Sequence, residues 1–333
     1  MLLNKRFKIF LNYVAGPLLF GWLAYSIYGQ VKQQGNIEEA WQQIKEALYG
    51  PQNWKLALVV LLMLATWFIE ALKWQALVKP VQKISLKHAI RDVYAGQALS
   101  VSSINGLGDM AGKSIYLDEG NRLRGMAQSM VGSWAQFLVN VSMGLFSLIY
   151  FRIVMAHATQ LPDGLSIWQL NLLILLIAVP IFILSLLYFR LAKLVIWLNS
   201  ISWMKRYRFL VEKLSLLDTP ILTKILFFSA VRYVVSLVQY MLLLQVLGVG
   251  MALPPALAVT GTFLLAITAI PTIALAELGI RGQLSLYLFG FFSTNTLGII
   301  ATVTGIWLIN QIAPAVIGGI GLLSIRLFRN TKQ

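Results

Sequence analysis

Asp109 and Lys113 stand four residues apart in "INGLGDMAGKSIYL", residues 104–117, and Glu277 and Arg281 repeat the arrangement in "IALAELGIRGQLSL", residues 273–286. A separation of four puts acid and base on one helical face, in the more favourable acid-first order. Gly106, Gly108, Gly112, Gly279 and Gly282 around them let another backbone come close. Two carboxylates and two cations in one place suit the gripping of a headgroup that carries phosphate and amine. The competing reading is that each pair neutralises itself and pins a helical hairpin. Acid–base catalysis asks for more. His88 and His157 are the only histidines, each stands alone, and no nucleophile motif or metal-binding spacing accompanies them. The expectation is therefore no enzyme and no cofactor.

The pairs sit in apolar surroundings. Of 333 residues 58% are hydrophobic and 12% charged, and the mean hydropathy is +0.75. Together with several apolar runs of about twenty residues, this predicts an all-α polytopic membrane protein. An ionisable group at bilayer depth costs about 2.5–3.5 kcal/mol on insertion scales, so these charges must be paired or reached by water. The formal charge of +15 does not make a nucleic-acid binder, because the basic residues cap apolar runs instead of forming one stripe with interleaved aromatics. The absence of cysteine excludes disulfides and thiolate metal sites.

Full spans are predicted at about 9–29, 55–78, 126–151, 168–189, 222–248 and 297–325. The first is read as an uncleaved helix, not a signal peptide. Lys5, Arg6 and Lys8, the loop with Lys79, Lys83, Lys87 and Arg91, the basic segment 190–213, and the end with Arg326, Arg329 and Lys332 all fall on one side. By the positive-inside rule that side is the cytoplasm, with both termini there, in a bacterial cytoplasmic membrane. Trp41, Ile44 and Leu48 mark an external amphipathic helix, and 190–217 reads as a helix on the inner leaflet.

Regions 92–125 and 254–293 must then each begin and end on one side, the first opening to the cytoplasm and the second to the exterior. Their short, Ser- and Gly-rich or ten-residue apolar pieces ("QLSLYLFGFF") suggest re-entrant helical hairpins. At a constant offset of 168, Leu107 falls on Leu275, Asp109 on Glu277, Ala111 on Gly279 and Lys113 on Arg281. The expected fold is thus an inverted repeat with two re-entrant hairpins and about six full spans. The corresponding units are 1–53 (first span and external helix), 54–151 (first copy), 152–219 (connecting span and inner amphipathic helix), 220–325 (second copy) and 326–333 (tail).

Other polar positions join the candidates. Arg232 lies about ten residues into its span. Asn105, Gly108 and Gly279 flank the paired charges, and Glu70 and Lys73 lie near the inner end of the second span. Snorkelling to the interface is the favoured reading for Glu70 and Lys73. Gln136, Asn140, Asn310 and Gln311 read as interhelical packing contacts.

The first hairpin, "INGLGDMAGKSIYL", resembles the Pro/Asn-x-x-Gly-Glu block, with a base four residues after the acid, of the transmembrane region of lysylphosphatidylglycerol synthases and the flippase-like family around it. The second, "IPTIALAELGIRG", is similar to that family's Gly-Leu-Gly-Val-Arg-Glu block, carried here by Pro271, Leu278, Gly279, Ile280 and Arg281. The likeness covers about 55–325. Three positions depart from it: Gly282 stands where many members have Glu, Glu277 where many have Gly, and Asp109 where Glu is usual. The resemblance implies a lipid translocase whose partners are membrane lipids: an anionic or aminoacylated phospholipid, or a lipid-linked sugar. Synthase activity belongs to a soluble domain that is not among the residues matched, and is not implied. A proton- or ion-coupled carrier of a small solute is the alternative, and an intramembrane transferase a third.

Overall fold

The structure, a computed structural model, describes residues 49–101, 103, 107–156, 166–200, 212–270 and 274–329, with the single positions 42 and 45. The side chains of 154–156, 196, 198–200, 274–277 and 323–329 are outside that description. The span expected at 9–29, the external-helix residues Trp41, Ile44 and Leu48, and Asn105 lie outside the described residues.

The described residues are helical, with no strand among them. In chain order they form α1 (Asn53–Val78), α2 (Leu86–Val101), α3 (Leu107–Ser114), α4 (Arg122–Ala156), α5 (Ile167–Phe189) and α6 (Leu191–Ser200). There follow α7 (Thr219–Val246), α8 (Leu253–Ala269), α9 (Ala274–Phe289), α10 (Thr296–Trp307) and α11 (Ala313–Arg329). A π-helical segment, Leu308–Ile312, joins the last two into one rod.

Local chemistry sets the ends of several helices. Asp218 caps α7 by accepting from the Ile221 N–H at 3.1 Å, with Pro220 in the first turn, and Gly248, at φ 66°, takes the left-handed conformation just past the other end. Ser166 and Gln169 form a capping box at the start of α5. Asn295 caps α10 through the Gly298 N–H at 2.9 Å.

Among the described residues, five helical stretches are long and apolar enough to cross a membrane: Asn53–Val78, Glu119–Ile153, Ile167–Phe189, Thr219–Val246 and Thr296–Leu322. They match five of the predicted spans and mark an integral membrane protein. Helix α1 shows why a bilayer is required. It buries Thr66, Glu70, Lys73 and Trp74 while exposing Leu61, Leu64 and Phe68, a pattern that is stable only where hydrocarbon lies outside. Helix α5, the most apolar of these five, packs on α4 and turns Leu175, Leu176 and Phe182 outward.

The offset of 168 recurs in the helix boundaries. Added to the bounds of α1 it gives 221 and 246, against 219 and 246 for α7. Added to those of α2 it gives 254 and 269, against 253 and 269 for α8. Packing follows the same correspondence: α4 lies on α8 as the end of the α10–α11 rod lies on α2, while α1 and α7 pack on each other. Glycines make both cross-contacts possible, since a Cβ on Gly144 would meet Leu265 Cβ at 2.5 Å and one on Gly318 would meet the Tyr94 carbonyl oxygen at 1.9 Å.

Two of the short helices, α9 and α2, begin earlier than the sequence suggests. Helix α9 has 16 residues and begins at Ala274, well before "QLSLYLFGFF", because "ALAEL" is itself strongly helix-forming and continues through Gly279 and Gly282. At about 1.5 Å per residue it spans about 24 Å, still short of a bilayer core of about 30 Å. Helix α2 begins at Leu86, ahead of residue 92, and α3 has only eight residues.

Candidate functional site

Glu70 is the hub of a buried charge network. It lies on the inward stripe of α1 with Thr66, Trp67, Lys73 and Trp74, a spacing of three and four residues that puts polar and aromatic groups on one face. Lys73 Nζ lies 2.7 Å from Glu70 Oε2, Lys113 Nζ of α3 lies 2.7 Å from Glu70 Oε1, and Arg232 Nη1 of α7 donates to Glu70 Oε2. Lys113 also reaches Asp109 Oδ2 at 2.7 Å, closing the pair expected from the four-residue spacing. Arg232 Nη1 donates further to Gln136 Oε1 at 3.3 Å, and its guanidinium stands 5.9 Å from the Trp67 ring. Snorkelling is thus overturned for Glu70 and Lys73: they are 5% and 2% exposed, because three cations around one carboxylate supply locally what the interface would have supplied.

The hairpin of α2 and α3 holds Asp109 and Lys113 in place. A Cβ on Gly112 would meet the Ala95 carbonyl oxygen at 2.4 Å, and one on Gly96 would meet Asp109 Oδ1 at 2.6 Å, so both glycines are needed for the helices to touch. Gly108 lies tighter still, with Leu99 O 2.1 Å from its would-be Cβ, and its N–H is capped by Ser103 Oγ at 2.7 Å. The predicted role of Gly108 in close approach is therefore a contact with the first arm of its own hairpin.

Two cavities, of about 270 and 370 Å³, open beside this network and share Trp67, Gln97, Asp109, Gln136, Asn140 and Arg232 as walls. Asp109 and Arg232 are the more open members of the network, 20% and 21% exposed at the side chain, whereas Glu70, Lys73 and Lys113 line the smaller cavity but are nearly buried. Arg281, from α9, lines the larger cavity together with Asp109. Helices α3 and α9 thus contribute to one space. Gly279 is buried on α9; the backbone of Glu277 lies in the same helix, but its side chain is outside the described residues.

Polar groups from the remaining helices complete the wall. Asn140 Nδ2 donates to Thr268 Oγ1 at 3.3 Å and Gln136 Nε2 to Asn140 Oδ1 at 2.9 Å. Gln97 Nε2 donates to the Gln311 side chain at 2.6 Å and to its carbonyl at 3.1 Å, reaching the π-helical segment. Gln239 and Asn310 exchange amide hydrogen bonds of 3.2 and 2.9 Å. The packing role read for Gln136, Asn140, Asn310 and Gln311 holds, and each also lines the cavity. Thr66 Oγ1, Trp67 Nε1 and Trp307 Nε1 border the larger cavity, buried and without a hydrogen-bond partner.

Sequence reasoning missed Gln97 and the centrality of Glu70. A signal existed for Glu70, since Leu61, Leu64 and Phe68 occupy the opposite face of its helix. Nothing in the sequence singles out Gln97, one amide in a short polar helix. No protein-family model matches the chain, and no curated protein matches it.

Proposed function

We propose that this chain is a membrane lipid translocase of the flippase-like kind, an inverted repeat whose two re-entrant hairpins, α2 with α3 and α8 with α9, meet in a central hydrophilic cavity. The observation that carries the reading is that Asp109 of one hairpin and Arg281 of the other line a single polar cavity. Broken helices meeting between two repeats are the architecture from which alternating access follows. The equivalent boundaries and contacts at an offset of 168 support it, as does the resemblance of both hairpin motifs to the transmembrane region of lysylphosphatidylglycerol synthases.

The charge balance narrows the headgroup. Lys73, Lys113, Arg232 and Arg281 outnumber Glu70 and Asp109 among the described side chains, so the cavity favours an anion over the cationic headgroup of an aminoacylated lipid. Arg232 and Arg281 would grip phosphate, and the amides of Gln97, Gln136, Asn140 and Asn310 would serve hydroxyls of a glycerol or sugar. A cavity of this size holds a headgroup while acyl chains remain in hydrocarbon. In this reading the basic loops face the cytoplasm.

Leaflet-to-leaflet movement of labelled lipids in proteoliposomes tests it. Faster movement of a phosphate-bearing, hydroxyl-rich lipid than in empty vesicles is expected; no acceleration across anionic, aminoacylated and polyprenyl lipids would refute it. One observation favours a second reading. Asp109, partly exposed and bonded to buried Lys113, is placed as a proton site would be, and uptake of a soluble solute that demands a pH gradient would point to a coupled carrier instead.

A further inference from the structure

We infer that the protein carries a second binding site, for the headgroup of an anionic phospholipid, where the end of α1 meets the start of α7. A cavity of about 460 Å³ lies there, walled by Lys79, Lys83 and Lys224 and by apolar Leu72, Ile221 and Phe228. None of its walls belongs to the central cavities, and the inference does not rest on translocation.

The lysines come from three places. Lys79 follows the last residue of α1, Lys224 stands in the second turn of α7, and Lys83 lies in the connection to α2. That connection is tied down by Gln75 Nε2, which donates to the Ile84 carbonyl at 3.0 Å beside Lys83. Lys224 Nζ hangs 5.7 Å from the Phe228 ring. Among the described residues no carboxylate lines this cavity and no ion pair engages the three lysines. The central network is the opposite case, where Lys73, Lys113 and Arg232 each meet a carboxylate. Three like charges around one concavity repel until an anion joins them.

The occupant's second half follows from depth. Lys79 and Lys224 mark the ends of two spanning helices, which is headgroup level. Leu72 and Phe228 lie roughly one to two turns deeper, beside exposed Phe227. A soluble anion has no use for that apolar floor, whereas a phospholipid sets its phosphate among the lysines and its acyl chain along Leu72 and Phe228. Each lysine near an anionic headgroup strengthens binding about five-fold, so three give about a hundred-fold preference over a zwitterionic lipid.

The test is lipid retention by the full chain, extracted from nanodiscs of mixed phosphatidylglycerol and phosphatidylcholine and weighed by native mass spectrometry. The natural chain should keep one phosphatidylglycerol with about a hundred-fold preference. Joint replacement Lys79→Gln, Lys83→Gln and Lys224→Gln should abolish the preference, while the same charge change at exposed Lys87, Lys193 and Arg190 should leave it. These are surface positions, and monodisperse elution checks that each variant is folded. Equal retention of the two lipids, survival of the preference in the first triple variant, or equal loss in both triple variants would overturn the site. So would a preference that only Arg232→Gln removes, which would assign the lipid to the central cavity, or binding of glycerol 3-phosphate as tight as that of the lipid.

Discussion

Arg232 donates a hydrogen bond to Glu70 across 162 positions of chain, joining α7 to α1, which pack on each other. The partners are unequal. Glu70 is the carboxylate on which three cations converge, while Arg232 has a second acceptor in Gln136 and an open side toward the cavity.

Removing each should therefore have different consequences. Glu70→Gln leaves Lys73 and Lys113 buried with one carboxylate, Asp109, within reach of Lys113 alone, and should cost about 3–5 kcal/mol, the usual result of stripping the partner from a buried ion. Arg232→Gln leaves Glu70 its two lysines and should cost under about half as much. Thermal unfolding of the two variants in detergent checks the order; a milder Glu70→Gln would mean that the lysines shed their charge instead.

Asp109 and Arg281 should separate transport from stability. Asp109→Asn removes a carboxylate that is partly exposed, and Lys113 keeps Glu70, so the unfolding midpoint should move little. If the proposed translocation is right, lipid movement in proteoliposomes should nonetheless fall by about ten-fold or more, the effect of about 1.4 kcal/mol of lost headgroup binding. Arg281→Gln should slow lipid movement likewise from α9. Unaltered movement in both variants would remove the pairs from the substrate path.

Gly108→Ala places a methyl group 2.1 Å from the Leu99 carbonyl oxygen, a backbone atom that cannot turn away. The hairpin must open, at about 1–3 kcal/mol, even though alanine is the better helix former. Gly120→Ala, where nothing lies within 4 Å, serves as control and should stay within about 0.5 kcal/mol of the natural chain.

The reciprocal amide pair of Gln239 and Asn310 is suited to a double-mutant cycle. Asn310→Leu leaves one donor–acceptor set of fully buried Gln239 unmet and should cost about 1–3 kcal/mol. Adding Gln239→Leu should recover part of that loss, since two apolar groups leave no amide unmatched there and the Val59 carbonyl keeps its place in the helical ladder of α1. Simple additivity would show that the pair is not coupled.

What the sequence determined was whatever depends on neighbours along the chain. Apolar runs located five spans that the structure describes, the four-residue spacing predicted the contact of Asp109 with Lys113, and the constant offset marked helices whose boundaries recur. These follow from helix periodicity and from the cost of polar groups in hydrocarbon, both local properties. Only the tertiary structure decided where α1 faces and what meets it. Whether Glu70 and Lys73 reach the interface or turn inward depends on Lys113 and Arg232, which come from other helices far along the chain, and a long-range ion pair leaves no trace in local spacing. The length of α9 was misjudged for a related reason, because glycines that usually weaken a helix are tolerated where packing supports them. The shared cavity of Asp109 and Arg281 belongs to the fold as well, because α3 and α9 lie far apart along the chain and only their placement in three dimensions brings the two side chains to one space.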